Sequence, residues 1–218
     1  MIKFIYYLTM SRSKKSIKKI YGDEFWNNFK RDSKEIFKEI LPKTPKIGKS
    51  VFSFNYMYAP SYVAWHKAML KNGLNYKQAD ELMWLMNEKM LTTVPKPLLH
   101  SVGKIYLNSF RKKAQKHIER QNKGLTHPYD WKIEYRNIDK NSFEIDIYEC
   151  GYIKYAKDFN AETMLPGICR IDYLISNLMG NGFKRNQTLG DKCPCCNCHY
   201  ELEGECKWSP EEGFEDRK

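Results

Sequence analysis

Cysteine is missing from the first 149 of the 218 residues, and all seven cysteines lie between residues 150 and 206. An odd number of cysteines crowded toward one end does not fit the disulfide framework of a small secreted protein. No apolar run approaches the ~20 residues that a membrane-spanning helix requires. The apolar stretch 1–10 has no cationic cluster before it and no small-residue cleavage site. We therefore expect a soluble, cytoplasmic protein that does not associate with membranes.

Acidic residues are scarce in the first part of the chain. Residues 1–125 hold 25 basic and 9 acidic side chains, whereas residues 126–218 hold 12 and 17. Part of the positive charge lies on one arc of a predicted helix, at Lys112, Lys113, Lys116, Arg120 and Lys123. No recognisable nucleic-acid-binding module accompanies this charge. A solvated helix face is therefore favoured over nucleic-acid binding.

The apolar residues of the first half recur at helical spacing. Residues 16–41 predict one or two amphipathic helices that end at a pair of prolines. A helix from Pro60 is expected to stop at Asn72-Gly73, and Asn75 is expected to cap the next one. A fourth helix is predicted over about 98–121. Residues 1–125 are therefore predicted to be helical.

The apolar pattern changes period after Gly124. Alternating apolar residues on both sides of Asp139-Lys140-Asn141 predict a β-hairpin. Short and long helices are predicted over 152–159 and 166–179. Two further strands are predicted, and they cover residues 183–189 and 196–202.

These patterns together predict an α+β fold: a helical N-terminal half followed by an antiparallel β-sheet with packed helices. The boundaries are 1–125 for the helical region and 126–208 for the α+β region that carries the cysteines. We expect the two regions to form one integrated domain. The acidic tail, 209–218, is predicted to fray.

Two cysteines lie at positions that suggest chemistry. Cys150 lies where a predicted strand gives way to a helix, and such a position can lower the pKa of a thiol, although a cysteine is as often a small buried hydrophobe. Cys169 and Asp172 lie one behind the other on a flank of the buried stripe of helix 166–179. That carboxylate could serve as a base to the thiol or to a water. The alternative is an ordinary ion pair with an arginine or a lysine.

The densest cysteine stretch contains two overlapping Cys-x-x-Cys pairs, Cys193 with Cys196 and Cys195 with Cys198. This spacing could place two thiolates on one zinc or iron ion. A structural zinc site usually needs a second pair, and the chain has no other Cys-x-x-Cys. If 196–202 is a strand, Cys196 points inward.

Four stretches of the second half resemble a known family. They are Ile145-Asp-Ile-Tyr-Glu-Cys150, Leu165-Pro-Gly-Ile-Cys169-Arg-Ile-Asp172-Tyr173, Phe183-Lys-Arg-Asn-Gln-Thr188-Leu-Gly190-Asp191 and Cys196-Asn-Cys-His-Tyr200. Over about 142–202 the pattern is similar to that of the L-2-amino-thiazoline-4-carboxylic acid hydrolase family. Two positions depart from it: Asn197 stands where the family usually has Asp, and Cys198 where it has Phe.

The resemblance implies a hydrolase whose small-molecule substrate is a cyclic isothiourea, opened by water to N-carbamoyl-cysteine. It implies a pocket formed by Cys150, Cys169, Asp172 and Cys196. Asp172 would activate a water or a thiol. Cys169 or Cys196 would act as the nucleophile or as an acid toward the leaving sulfur.

Two further residues are candidates for substrate binding. Arg185 could pair with the substrate carboxylate through its fork of donors, the alternative being a surface cation. Asn197 is the second candidate. The alternative to an enzyme is a metal- or redox-binding domain, a sensor or carrier built on the same cysteines, for which zinc or iron would be the cofactor.

Overall fold

The computed structural model describes residues 1–206, which form seven α-helices, four β-strands and short 3-10 turns. The helices and strands are α1 (Ile2–Ile40), α2 (Ser53–Tyr56), α3 (Ala59–Lys71), α4 (Tyr76–Leu91), α5 (Lys96–Asn122), β1 (Lys132–Asn137), β2 (Ser142–Glu149), α6 (Gly151–Asp158), α7 (Leu165–Met179), β3 (Gly182–Lys184) and β4 (Cys196–Glu201). None of the helices within residues 1–206 is both long enough and apolar enough to cross a membrane. The predicted tail, 209–218, lies outside the described residues.

The predicted helices of the first half are confirmed, with one extension. α1 starts at Ile2 rather than near residue 16, and Gly22 divides it into two helical segments with a φ of +86°. A side chain at that φ would be strained. Asn75 caps α4 as predicted: its side chain accepts the backbone N–H of Gln78, and the Gln78 side chain accepts that of Asn75.

The four strands form one antiparallel sheet with the order β1-β2-β4-β3. β1 and β2 are the predicted hairpin. β4 pairs with β2 so that Cys198 lies opposite Ile145 and Cys196 lies opposite Ile147. All four of these side chains are buried, as expected for one face of an alternating strand pair. The fold is therefore α+β with a helical first half, as predicted.

The strand predicted over 183–189 is wrong in its length, because β3 pairs with β4 over only three residues. The backbone N–H of Gln187 donates to Asn197 Oδ1 at 2.8 Å instead of to a strand. The N–H of Leu189 donates to Cys196 Sγ at 3.2 Å. Side chains of β4 thus satisfy backbone donors that a longer β3 would have satisfied through the ladder.

α7 lies between the helical half and the sheet. It packs against α4 and α5 and also contacts β3. The approach is close at both ends of the helix. A Cβ atom at Gly167 would overlap the carboxylate of Asp80 in α4, and one at Gly103 in α5 would overlap the carbonyl of Met179. These contacts fix the position of the helix that carries two predicted site residues.

Candidate active site

The guanidinium of Arg185 connects the segment after β3 to α7. It donates from Nη1 to Asp172 Oδ2 at 2.8 Å and from Nη2 to the backbone carbonyl of Cys169. It also lies over the rings of Tyr173 and Phe183, with centroids 5.4 and 5.3 Å away. Only 4% of the Arg185 side chain is exposed. The surface-cation alternative for Arg185 is therefore wrong: its charge is paired and its flat faces are covered.

The carboxylate of Asp172 is paired on one side and open on the other. Its side chain keeps 40% of its exposure, because it lines a cavity of about 100 Å³. Within residues 1–206, Oδ1 receives no hydrogen bond, so this oxygen is free to accept one from a ligand. Burial raises the pKa of Asp172, and Arg185 offsets part of the rise. A carboxylate with a raised pKa beside a cavity suits general-base catalysis.

Four tyrosines from three parts of the chain line the cavity next to Asp172. They are Tyr58, Tyr62, Tyr106 and Tyr152. The hydroxyl of Tyr62 donates to Asn87 Oδ1 at 2.9 Å, which fixes its ring within the wall. The rest of the wall is mainly aliphatic. We call this cavity, with Asp172 and the four tyrosines in its wall, the tyrosine pocket.

Cys150 is the N-cap of α6, as the sequence indicated, but its thiol is not activated there. Burial raises the pKa of Cys150 above its ordinary value, and the neighbouring Cys169 adds to the rise. The backbone N–H groups of Ile153 and Tyr152 offset only part of it. Desolvation therefore outweighs the helix N-terminus at this position.

Cys169 lies against the Gly-Asp turn that precedes β4. A Cβ atom at Gly190 would lie 2.7 Å from Cys169 Sγ, so only glycine lets the turn approach the thiol this closely. Burial raises the pKa of Cys169 to about 11, while Arg185 acts in the opposite direction. A thiol with this pKa is protonated at neutral pH and can donate a proton.

Cys196 and Cys198 extend the cluster from β4. Cys196 Sγ lies 3.6 Å from Thr188 Oγ1 and is buried. Burial raises the pKa of Cys198 to about 12, and Arg185 lowers it in part. Cys198, a departure from the family pattern, is thus a neutral, buried group close to the arginine.

The four residues predicted to be catalytic lie in one region. Cys169 is within electrostatic reach of Cys150, Cys196 and Asp172. Asp172 lines the tyrosine pocket, whereas the three cysteines are not part of the described wall of that pocket. The structure therefore places the carboxylate in the wall of the pocket and the three thiols outside it.

Asn197 lies on the opposite face of β4 from Cys196. Its Oδ1 accepts the backbone N–H groups of Asn186 and Gln187, and its Nδ2 donates to Asn186 Oδ1. The structure places Asn197 in an open groove outside the tyrosine pocket. These hydrogen bonds hold the segment that presents Arg185 to α7.

The family model of L-2-amino-thiazoline-4-carboxylic acid hydrolase matches residues 55–200, about two thirds of the chain. The chain belongs to this family. No curated protein shows significant similarity to the chain. The match begins at residue 55, whereas the resemblance seen in the sequence covered only about 142–202. The matched range therefore includes every tyrosine of the tyrosine pocket.

The sequence analysis of this hydrolase-family member missed the tyrosine pocket. Tyr58 and Tyr62 are four residues apart at the start of α3, a spacing that could have indicated a shared helix face. Tyr152 follows Cys150 by two residues, which could have indicated that it lies near the site. No local signal connects these residues with Tyr106, because the contact depends on how α5 packs against α7.

In the part of the chain that the structure describes, the cysteine pairs do not form a metal-binding cluster. Among residues 1–206, no group of three or more His, Cys, Asp or Glu side chains is arranged to hold a metal ion. Cys196 and Cys198 are buried, whereas Cys193 and Cys195 are partly exposed in the turn before β4. The geometry therefore gives no support to the metal- or redox-carrier alternative.

Proposed function

We propose that the protein is a hydrolase that opens a small cyclic isothiourea or amidine, of which L-2-amino-thiazoline-4-carboxylate is the namesake example. The observation that carries this proposal is the position of Asp172. Its side chain lines the tyrosine pocket, its Oδ2 is held by Arg185, and the thiol of Cys169 is near it on the same helix. Membership of the hydrolase family supports the same reaction class.

The reaction needs a base and a proton donor. Water attacks C2, the ring carbon between sulfur and nitrogen, and gives a proton to Asp172 as the new C–O bond forms. The C2–S bond then breaks, and the sulfur leaves as a thiolate that takes up a proton. With the thiazoline carboxylate as substrate, one water is consumed and N-carbamoyl-cysteine is released.

The raised thiol pKa values favour one role for the cysteines. Cys169 is protonated at neutral pH because its pKa lies at about 11. A protonated thiol is a poor nucleophile. None of Cys150, Cys169 and Cys196 is in the described wall of the tyrosine pocket. We therefore assign the three thiols to the neutral surroundings of Asp172, and protonated Asp172 to the donation of a proton to the leaving sulfur. Arg185 is assigned to positioning Asp172, because both of its terminal nitrogens are already engaged.

The test is turnover by the Asp172→Asn variant. Asn can still accept the hydrogen bond from Arg185 but cannot take a proton from water, so we expect the rate to fall by about 10²–10⁴-fold with the fold retained. Product formation is followed by mass spectrometry and folding by circular dichroism. Asp191→Asn is the matched control, because Asp191 also pairs with an arginine, Arg170, at 2.7 Å. Undiminished turnover in Asp172→Asn would remove Asp172 from the mechanism.

A further inference from the structure

The formal charge in the wall of the tyrosine pocket has one sign. Asp172 is the acidic residue of the wall, and no Lys, Arg or His among residues 1–206 lines it. The remaining described wall is made of aromatic, aliphatic and amide side chains. A ligand in this pocket therefore meets a negative charge that has no counter-charge on the ligand's side.

The tyrosines add a second feature that suits a cation. The rings of Tyr58 and Tyr62 stack with centroids 5.7 Å apart, and the ring of Tyr152 lies 6.0 Å from that of Tyr62. Aromatic faces attract cations through their quadrupole, most strongly where water is excluded. Burial raises the pKa values of Tyr58 and Tyr106 to about 12, so their hydroxyls stay neutral. Within residues 1–206 neither hydroxyl makes a hydrogen bond, so both are free for a ligand.

Arg185 does not supply a cation to the pocket. Its side chain is 4% exposed, and its donors are directed at Asp172 and the Cys169 carbonyl. The guanidinium borders a separate open groove on the far side of Asp172, together with Asn186 and Cys198. A ligand carboxylate inside the tyrosine pocket would therefore face Asp172 without a cationic partner, and burying a carboxylate that no cation pairs is costly.

We propose that the tyrosine pocket selects a planar organic cation without a carboxylate, a cyclic isothiouronium or amidinium. This inference rests on the proposed function and narrows its substrate class. The positive charge of an isothiouronium is shared around C2, the atom that water attacks. One carboxylate can therefore attract the cation and later take the proton from water. The described wall has no cation to pair with the carboxylate of the family's namesake substrate.

Ligand-observed NMR on the full chain tests the proposal, because one sample reports both binding and conversion. The probes are 2-aminothiazoline and L-2-amino-thiazoline-4-carboxylate at near-neutral pH. We expect 2-aminothiazoline to bind at least about tenfold more tightly, equivalent to about 1.4 kcal/mol. The Asp172→Asn variant is expected to lose most of this preference.

The possible outcomes separate the two proposals. Tighter binding of 2-aminothiazoline supports the cation-selective pocket, whether or not the compound is converted, and binding without conversion of either probe counts only against the hydrolase function. Equal or tighter binding of the carboxylated probe overturns the selectivity. A failure of 2-aminothiazoline to bind also overturns the proposed selectivity. Conversion of the carboxylated probe would in that case leave the hydrolase function standing.

A second variant supplies the cation that the wall lacks. Met90 lines the tyrosine pocket, and Met90→Arg should improve binding of the carboxylated probe about tenfold while weakening that of 2-aminothiazoline. Ile138→Arg is the matched control, because Ile138 is 51% exposed after β1 and lies outside the described pocket wall. Equal changes in the two variants would show that charge in the pocket does not set the preference.

Discussion

Arg185 donates from Nη1 to Oδ2 of Asp172 at 2.8 Å but does not itself line the tyrosine pocket. The pair leaves Oδ1 free and keeps the positive charge out of the cavity. Burial and the arginine act on the carboxyl in opposite directions. The basicity of Asp172 therefore depends on a residue that does not line the tyrosine pocket.

Replacing Arg185 with Met should move the pH dependence of turnover. The pKa of Asp172 is already raised by burial, and loss of the cation that lowers it raises it further. Because the base must be deprotonated, activity rises with pH through this pKa. The acidic limb of kcat/KM is therefore expected to shift to higher pH, as measured by initial rates across the pH range.

Arg185→Lys is the control for this shift. Lysine keeps the charge but not the fork, so we expect a smaller displacement of the acidic limb. The Met variant should also lose about 1–3 kcal/mol of unfolding free energy, less than for a fully buried pair because Asp172 is 40% exposed. Identical acidic limbs in all three proteins would argue against Asp172 as the base.

Cys169 should react slowly with iodoacetamide at neutral pH. Alkylation requires the thiolate, and burial raises the pKa of Cys169 to about 11. The rate should climb as the pH approaches that value in the folded protein. Peptide mass spectrometry of timed samples gives the rate for each cysteine, with urea-unfolded protein as the reference. Modification as fast as in the unfolded chain would contradict the raised pKa.

Gly190→Ala should disturb both the turn and the thiol beneath it. The new Cβ would lie 2.7 Å from Cys169 Sγ and 3.1 Å from the carbonyl of Leu165. We expect a loss of about 1–3 kcal/mol in urea unfolding, typical of an overpacked site. The same substitution in a Cys169→Ala background should cost less, because the sulfur is absent. An equal cost in both backgrounds would show that the sulfur contact is not the cause.

Asn75→Ala should lower stability without affecting the chemistry. The substitution removes the capping box at the start of α4 and should cost about 0.5–2 kcal/mol of unfolding free energy. The value of kcat/KM per folded molecule should not change, because Asn75 is outside the described wall of the tyrosine pocket. Gln78→Ala, which removes only the reciprocal hydrogen bond, should have a smaller effect in the same thermal or urea measurement.

The parts of the fold that local chemistry determines were predicted from the sequence. Asn75 and Gly73 mark a helix start and a helix end because their side-chain or backbone geometry acts within a few residues. The length of β3 could not be predicted in this way. The backbone N–H groups of Gln187 and Leu189, which follow β3, donate to the side chains of Asn197 and Cys196. These side chains become neighbours of the segment only when β4 pairs in the sheet.

Some features of the candidate site were likewise predictable from the sequence, and others depend on the tertiary structure. The grouping of Cys150, Cys169, Asp172 and Cys196 was expected from the family resemblance, and the structure brings them into one region. The rise in the thiol pKa values was not expected. The sequence position that suggested activation of Cys150 gives no information about how deeply the thiol is buried. The role of Arg185 changed for the same reason: its burial depends on two rings and a carboxylate from other segments.

Two close contacts of α7 limit how the protein can be redesigned: Gly103 of α5 lies against Met179, and Gly167 of α7 lies against Asp80. Neither position leaves space for a single methyl group, so a larger side chain at either one would displace the helix that carries Asp172. Engineering for larger amidines would have to shorten side chains on the α4 side instead, at Met90 and Leu91. Libraries restricted to that wall would sample new specificity while the scaffold that aims the carboxylate stays intact.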